Sequence, residues 1–310
     1  MNAETETVRF LPPVAAVILQ SIHRHRLLSA RQVHVLHLPG VSLRYTQRVL
    51  SELHRAGLTE RVRAAHGTAL WSTTTAGKAL LRSGGHHDPP RHPRAPRPAA
   101  VTREHVHALN ETGIAFVKAA RARGDECDAS SWLHNLAHPI DPPRQGRKQR
   151  WLIPDALLSY VDHQDGRLHQ RFIELDLGNG TASQLATQLG AYKLLHHCRA
   201  PTRPAGEPGE ALWRSSYNTF PCVLVVLAGQ DPTAAHRRIQ SLIAFWRSDP
   251  ATRALETVPL HCVTLEQLLN GGPYALIFAS ASDPDRPRNW LGNPMAPTAG
   301  RAADASGGAR

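Results

Sequence analysis

Ser42-Leu43-Arg44-Tyr45-Thr46-Gln47-Arg48-Val49-Leu50-Ser51-Glu52-Leu53-His54-Arg55-Ala56-Gly57 is the stretch on which the fold turns. Ser42 is a residue type that caps a helix start, and Gly57 a type that ends one. Between them Thr46, Val49, Leu50 and Leu53 recur at helical spacing and mark a face that packs. Arg44, Gln47, Arg48, Ser51 and Arg55 fall on the opposite face. A helix with one apolar face and one row of long donors suits the major groove of duplex DNA, where Arg matches guanine and Gln matches adenine.

The flanking segments complete a unit around this helix. Upstream, Pro12 and Pro13 suit a first helical turn, and Val14, Val17, Ile18 and Ile22 follow at helical spacing. Ser29-Ala30-Arg31-Gln32 reads as a capping box opening a second helix, which Pro39-Gly40 stops. Downstream, Leu58 to Arg63 reads as a strand, Ala64-Ala65-His66-Gly67 as a turn and Ala69 to Thr73 as the returning strand. Thr75 to Leu81 begins a closing helix. That order predicts an α+β winged helix-turn-helix over residues 1–83. Its candidate DNA contacts are Ser42, Arg44, Tyr45, Gln47, Arg48 and Arg55 on the helix, with Arg61, Arg63 and His66 reaching phosphates from the hairpin. The plain alternative is a solvated charged face, or a winged helix used for protein contacts.

Charge points the same way. The net charge is +11, and residues 1–100 carry 14 Lys/Arg against 5 Asp/Glu, while residues 101–310 carry 22 against 20. Excess positive charge concentrated on one unit fits a polyanion better than a small acidic substrate. The run Val14 to Leu19 is too short for a signal peptide, and no apolar run is long enough to span a membrane. The four cysteines, Cys127, Cys198, Cys222 and Cys262, lie far apart without Cys-x-x-Cys spacing, so neither a zinc site nor a disulfide framework is expected, and a cytoplasmic setting fits.

With 310 residues, about two domains are expected. Residues 84–101 are rich in Pro, Arg and His and read as an extended, flexible linker. Residues 102–280 alternate helical and strand patterns, an α/β domain, and residues 281–310 read as a disordered tail. Arg150 to Tyr160 reads as one buried strand with Asp155 inside it. Asp162-His163-Gln164-Asp165-Gly166 makes a hairpin turn, and Gln170 to Gly178 returns with Glu174 and Asp176 on one face. Three carboxylates on adjacent strands suit Mg²⁺, which takes hard oxygen ligands. Their plain alternative is a solvated strand face. A helix follows from Thr181 to about Cys198, carrying Gln188 and Tyr192 on one face and Lys193 next to them. Pro221 to Ala228 and Leu260 to Thr264 read as strands, with a helix over Thr233 to Arg247 between them.

Pro154-Asp155, Glu174-x-Asp176 and Gln188-x-x-x-Tyr192 resemble the core of the PD-(D/E)XK nuclease superfamily. The chain is more closely similar to the replication-relaxation family of actinobacterial plasmids and integrated elements. Glu174-Leu175-Asp176-Leu177-Gly178-Asn179-Gly180-Thr181 is similar to that family's Glu-Leu-Asp-x-Gly-Thr signature, and Leu189-Gly190-Ala191-Tyr192 to its helix ending in Tyr. The resemblance implies a winged helix joined to a degenerate nuclease-like domain acting on DNA, and covers about residues 10–280.

The catalytic set departs from the active pattern. Nucleases of this superfamily place a Lys two residues after the second carboxylate, where this chain has Asp176. Gln188 stands where relatives often carry Lys, and the upstream segment Ser131-Trp132-Leu133-His134-Asn135, read as a helix, lacks an acid. Lys193, or Lys148 in the basic loop Arg144 to Arg150, is the candidate substitute. Three functions stay open at this level. One is a DNA-binding protein of plasmid or mobile-element replication, relaxation or transfer, with little or no catalysis, working with replication or transfer proteins. Another is a Mg²⁺-dependent endonuclease or nickase using Asp155, Glu174, Asp176 and Lys193. The third is a transcriptional regulator whose second domain dimerises or senses a ligand, with a homodimer on a palindromic site as its signature.

Overall fold

The computed structural model describes residues 11–64, 67–86, 95–96, 101–141, 149–200, 209–249 and 258–293. His66, Lys148, residues 142–148 of the basic loop, most of the 84–101 stretch and residues 294–310 lie outside the described residues.

The first unit is built from α1 (Pro13–Arg24), β1 (Leu28–Ser29), α2 (Ala30–His37), α3 (Leu43–Arg55), the hairpin β2 (Thr59–Arg63) and β3 (Ala69–Thr73), and α4 (Thr75–Ser83). Ser29 caps α2 in a complete capping box: its side chain accepts from Gln32 N while the Gln32 amide oxygen accepts from Ser29 N. Such a cap is worth about 1 kcal/mol. Ser42 Oγ accepts from Tyr45 N and caps α3. The face of α3 expected to pack, Thr46, Val49, Leu50 and Leu53, is buried. Short β1 joins the hairpin as a third strand in the order β1-β3-β2, which ties α1 and α2 to the sheet.

The second unit is a mixed α/β layer. Its elements are α5 (Arg103–Arg123), β4 (Trp132–His134), β5 (His138–Pro139), β6 (Trp151–Leu152), β7 (Ala156–Asp162), β8 (Arg167–Asp176), α6 (Ala182–His197), a 3-10 turn (Leu212–Ser215), β9 (Cys222–Leu227), α7 (Pro232–Ser248), β10 (Leu260–Thr264), α8 (Leu265–Gly271), β11 (Phe278–Ser280) and β12 (Asp283–Arg288). A seven-stranded sheet runs β12-β11-β10-β9-β8-β7-β4, with β8, β9 and β10 parallel and the other pairs antiparallel. Alternation along β8 sends Phe172 into the core beneath α6 and α7, and Ile173 and Leu175 into the core shared with α5. All four cysteines are free and buried.

Three expectations need correction. The strand expected over 150–160 is broken: β6 ends at Leu152, β7 starts at Ala156, and Asp155 sits in the bend between them. Pro154 has no N–H to give a central ladder, which explains the break. The segment 131–135, read as a helix, holds β4, paired antiparallel with β7. The upstream helix is α5, and it does carry acids, Glu104 and Glu111. Residues 281–293 of the tail expected to be disordered are ordered: β12 closes the sheet edge and Trp290 is 1% exposed in the core. Its many prolines are tolerated because β12 is an edge strand.

The two units are also not held apart as tethered modules. Their buried side chains form one continuous core. Asn110 Nδ2 on α5 donates to the carbonyls of Leu27 (2.7 Å) and His25 (3.2 Å). Gln32 Nε2, besides capping α2, donates to Glu111 (2.9 Å). Arg121 donates to the carbonyls of Val35 and Leu36 at the end of α2. His25 is buried, stacks on Trp132 with ring centroids 4.2 Å apart and hydrogen-bonds the Ala129 carbonyl at 2.7 Å. Gly113 makes room for that indole: a Cβ there would meet the Trp132 ring at 2.7 Å. Mid-helix glycine costs about 1 kcal/mol relative to Ala, so close packing is the compensating gain.

Candidate functional site

The outward face of α3 is open. Ser42, Arg44, Gln47, Arg48, Ser51 and Arg55 are exposed, and Tyr45 is half-buried. Arg48 lies over the Tyr45 ring at 4.9 Å and 3.8 Å from Glu52, which holds its stem along the helix. Ser51 Oγ turns back to the Gln47 carbonyl. Beneath, His34 Nδ1 and Thr46 Oγ1 are 3.1 Å apart and fix α3 on α2. Arg61 and Arg63 are exposed on β2. The start of α5 reaches this hairpin through Arg103, which donates to the Arg63 carbonyl (2.9 Å). Sequence reasoning did not find that brace, because it links residues 40 positions apart across the unassigned stretch.

The carboxylate site forms where β7 and β8 meet α5 and α6. Asp155 lies in the bend before β7, and its Oδ2 accepts from Leu175 N at 2.9 Å. Its Oδ1 is 3.0 Å from His105 Nε2 on α5. Glu174 points under α6, where the Tyr192 hydroxyl donates to its Oε1. Burial first, and the Asp155 charge second, push the Glu174 carboxyl well above the usual carboxylate range; the Tyr192 hydrogen bond pulls the other way. Burial and the neighbouring Glu174 likewise raise the Tyr192 phenol. The helix period explains the meeting: Tyr192 falls on the inner face of α6 opposite even-numbered residues of β8.

Asp176 is engaged elsewhere. Arg238 of α7 grips both its oxygens and donates also to the Gly180 carbonyl (2.7 Å), while Gly178 N donates to Asp176 Oδ1 (2.9 Å). Lys193, one residue round the helix from Tyr192, is buried and points to α7: its Nζ donates to the Trp246 carbonyl at 3.0 Å and lies 4.1 Å from the Trp246 ring centroid. The 100° step along α6 from Tyr192 turns it toward α7.

These residues do not fit a divalent cation. Among the described residues, Asp155, Glu174 and Asp176 are not within 4.8 Å of one another as a group of three. Asp155 is engaged by His105 and Leu175 N, Asp176 by a guanidinium, and Glu174 by the Tyr192 hydroxyl. The group among the described residues that meets the distance is Asp162, Asp165 and His169 at the β7–β8 hairpin, and it could hold a metal. Its carboxylates already serve the turn, accepting from Gln164 N (2.8 Å) and Arg167 N (2.9 Å).

The replication-relaxation family model matches residues 19–207, which run from α1 across the unit junction to the carboxylate strands and α6. The chain belongs to the replication-relaxation family. This membership is consistent with a role in the replication or relaxation of mobile elements. Among solved structures, the replication-relaxation chain is similar to the restriction endonuclease FokI at 10% identity and TM-score 0.29, a match covering 84% of this chain and 43% of that one. It thus spans less than half the length of that endonuclease. The comparison with curated proteins finds no match. Among the described residues, no helix is long and apolar enough to cross a membrane.

Proposed function

We propose that this member of the replication-relaxation family binds double-stranded DNA through residues 1–83, folded as a winged helix, and serves plasmid or mobile-element replication, relaxation or transfer with little or no catalysis. The observation that carries the reading is the exposed row Arg44, Gln47, Arg48 and Arg55 on a capped helix whose other face is buried. Arg61 and Arg63 flank that row with further cations for phosphates. The second unit supports it by what its acids are doing. Asp176, standing where active relatives carry Lys, is neutralised by Arg238, and Asp155 is covered by His105.

A gel-shift series on fragments of the element that encodes the protein tests this. The intact chain is expected to select one fragment, and Arg44→Ala with Arg48→Ala to lose the selection. Equal selection by that double variant would sink the proposal.

The second reading is a Mg²⁺-dependent endonuclease or nickase. The observation in its favour is that Asp155 and Glu174 lie close enough for one charge to act on the other. Incubation with supercoiled plasmid separates the two. Nicking that needs Mg²⁺ or Mn²⁺, stops in EDTA and disappears in Asp155→Ala would favour the nuclease. An unchanged plasmid favours binding alone.

A further inference from the structure

A second cluster lies on the opposite face of β8 from Glu174, beside the turn after β12. Arg171 of β8, His261 of β10 and Arg288 of β12 meet around Trp290. The Arg171 guanidinium lies over the Trp290 ring at 4.8 Å and donates to the Trp290 carbonyl at 3.1 Å. His169 meets the same ring edge-on, centroids 5.6 Å apart. Arg288 donates to the Gly292 carbonyl at 3.0 Å, two residues further along the turn. A Cβ on Gly292 would stand 3.4 Å from the His261 ring.

Five nitrogens of these residues are buried and have no hydrogen-bond partner among the described residues: Arg171 Nε, His261 Nδ1, His169 Nε2, Arg288 Nε and Trp290 Nε1. Buried polar groups in native proteins are overwhelmingly paired, so an orphan group calls for an explanation such as a bound ion or water. Here five such nitrogens belong to side chains gathered around Trp290 and the turn that follows it. The charges are unbalanced as well. Among the described residues, Arg171 has hydrogen bonds to main-chain carbonyls and no ion pair with a carboxylate. Of the nearby acids, Asp283 pairs with Arg288, Asp162 lies 3.9 Å from Arg123, and Asp165 pairs with Arg167. Burial draws the Arg171 guanidinium below its ordinary value, as expected of a cation without a counter-charge. An unpaired buried cation is costly, and an anion removes the cost. The terminal nitrogens of both guanidinium groups are engaged by carbonyls and by Asp283, so what the cluster offers an oxyanion is a set of single N–H donors, the two arginine Nε–H groups among them.

We infer that Arg171, His261, Arg288 and Trp290 form a binding site for one phosphate group, separate from the α3 face and from the carboxylate site. The inference does not rest on the DNA-binding reading. A phosphate group has three sources here: inorganic phosphate, a free nucleotide, or the phosphorylated end of a DNA strand.

The test is NMR of the full-length chain labelled with ¹⁵N, following the Trp290 indole N–H, whose signal is identified by its loss in Trp290→Phe. Sodium phosphate is added against sodium chloride at equal ionic strength. The site requires a saturable shift of that signal at ~mM phosphate or below, together with a rise in the thermal midpoint. Arg171→Leu should abolish the shift. Arg288→Gln, which leaves the core side chains in place, should weaken it by about tenfold. A nucleoside monophosphate that saturates at lower concentration than phosphate names the nucleotide as the source. A 5′-phosphorylated duplex that shifts the signal where its 5′-hydroxyl twin does not names the DNA end. A Trp290 signal that no phosphate compound moves, or a shift unchanged in both Arg171→Leu and Arg288→Gln, overturns the site.

Discussion

His105 Nε2 on α5 stands 3.0 Å from Asp155 Oδ1 in the bend before β7, so an imidazole covers that carboxylate. Both side chains are mostly shielded, at 15% and 21% exposure, so the contact is worth more than a surface pair. Its loss should be felt as stability. The contact is one of charge and not an aligned hydrogen bond, so His105→Leu is expected to cost about 1 kcal/mol in urea denaturation. Asp155→Asn combined with His105→Leu should recover part of that cost. A single variant as stable as the parent would show that the contact does not hold the bend.

Glu174 gives a pH-dependent prediction with a definite sign. Its carboxyl is raised in the folded chain by burial and by Asp155. A raised acid contributes stability that is fully present below its unfolded value near ~4.3 and is lost as pH rises through the folded value. Glu174→Gln keeps an oxygen for the Tyr192 hydroxyl and removes the titration. The variant should match the parent near pH 4–5 and melt higher at pH 8, by roughly the 2–4 °C that ~1 kcal/mol produces in a chain of this order of size. A lower midpoint at pH 8 would mean that the ionised carboxylate is the stabilising form.

At the junction of the units, His25 Nδ1 and His134 Nε2 are 3.4 Å apart. Burial, with Arg26 adding to it, lowers His134 to about 4, and burial, with His134 next, lowers His25 well below its usual range. A depressed histidine contributes stability present above its unfolded value near ~6.5 and lost as pH falls through the folded one. Acid should therefore loosen the junction between about pH 6.5 and pH 4, by ~3 kcal/mol for His134 taken alone. His134→Gln should flatten the fall of the thermal midpoint over that window. A parental slope in the variant would place the acid sensitivity elsewhere.

Arg238 and Asp176 make a mostly buried ion pair, with exposures of 14% and 9%. Removing one partner of such a pair strands the other, at about 3–5 kcal/mol. Arg238→Met should show that loss, and Asp176→Asn added to it should restore much of the stability. Additive single and double variants would argue that the pair is incidental.

The local parts of this protein were legible in the sequence, and the long-range ones were not. Ser29, Ser42 and the apolar face of α3 are set by neighbours within one or two turns, and periodicity finds them. Strand alternation set the face of Glu174 and helical spacing the face of Tyr192, but their meeting came only with the packing of α6 on the sheet. His105 on Asp155 and Arg238 on Asp176 could not be read that way, because each partner comes from a helix 50 or more residues away in the chain. The ordering of Trp290 was hidden by composition: a Pro- and Asp-rich stretch reads as disordered unless one knows that a sheet edge accepts it. The continuous core between the units was masked by the proline-rich segment separating them in sequence, which says nothing about contacts between Asn110 and the end of α1.

The central claim is that the exposed row on α3 reads duplex DNA. The most direct measurement is the ratio of dissociation constants on a selected fragment and on a scrambled one, for the intact chain and for Arg44→Ala with Arg48→Ala, at one fixed salt concentration. The account expects each lost arginine contact to cost ~1–3 kcal/mol of discrimination, so that the ratio falls toward one while the residual, salt-dependent binding through Arg61 and Arg63 persists. A ratio that is undiminished in the double variant would contradict it.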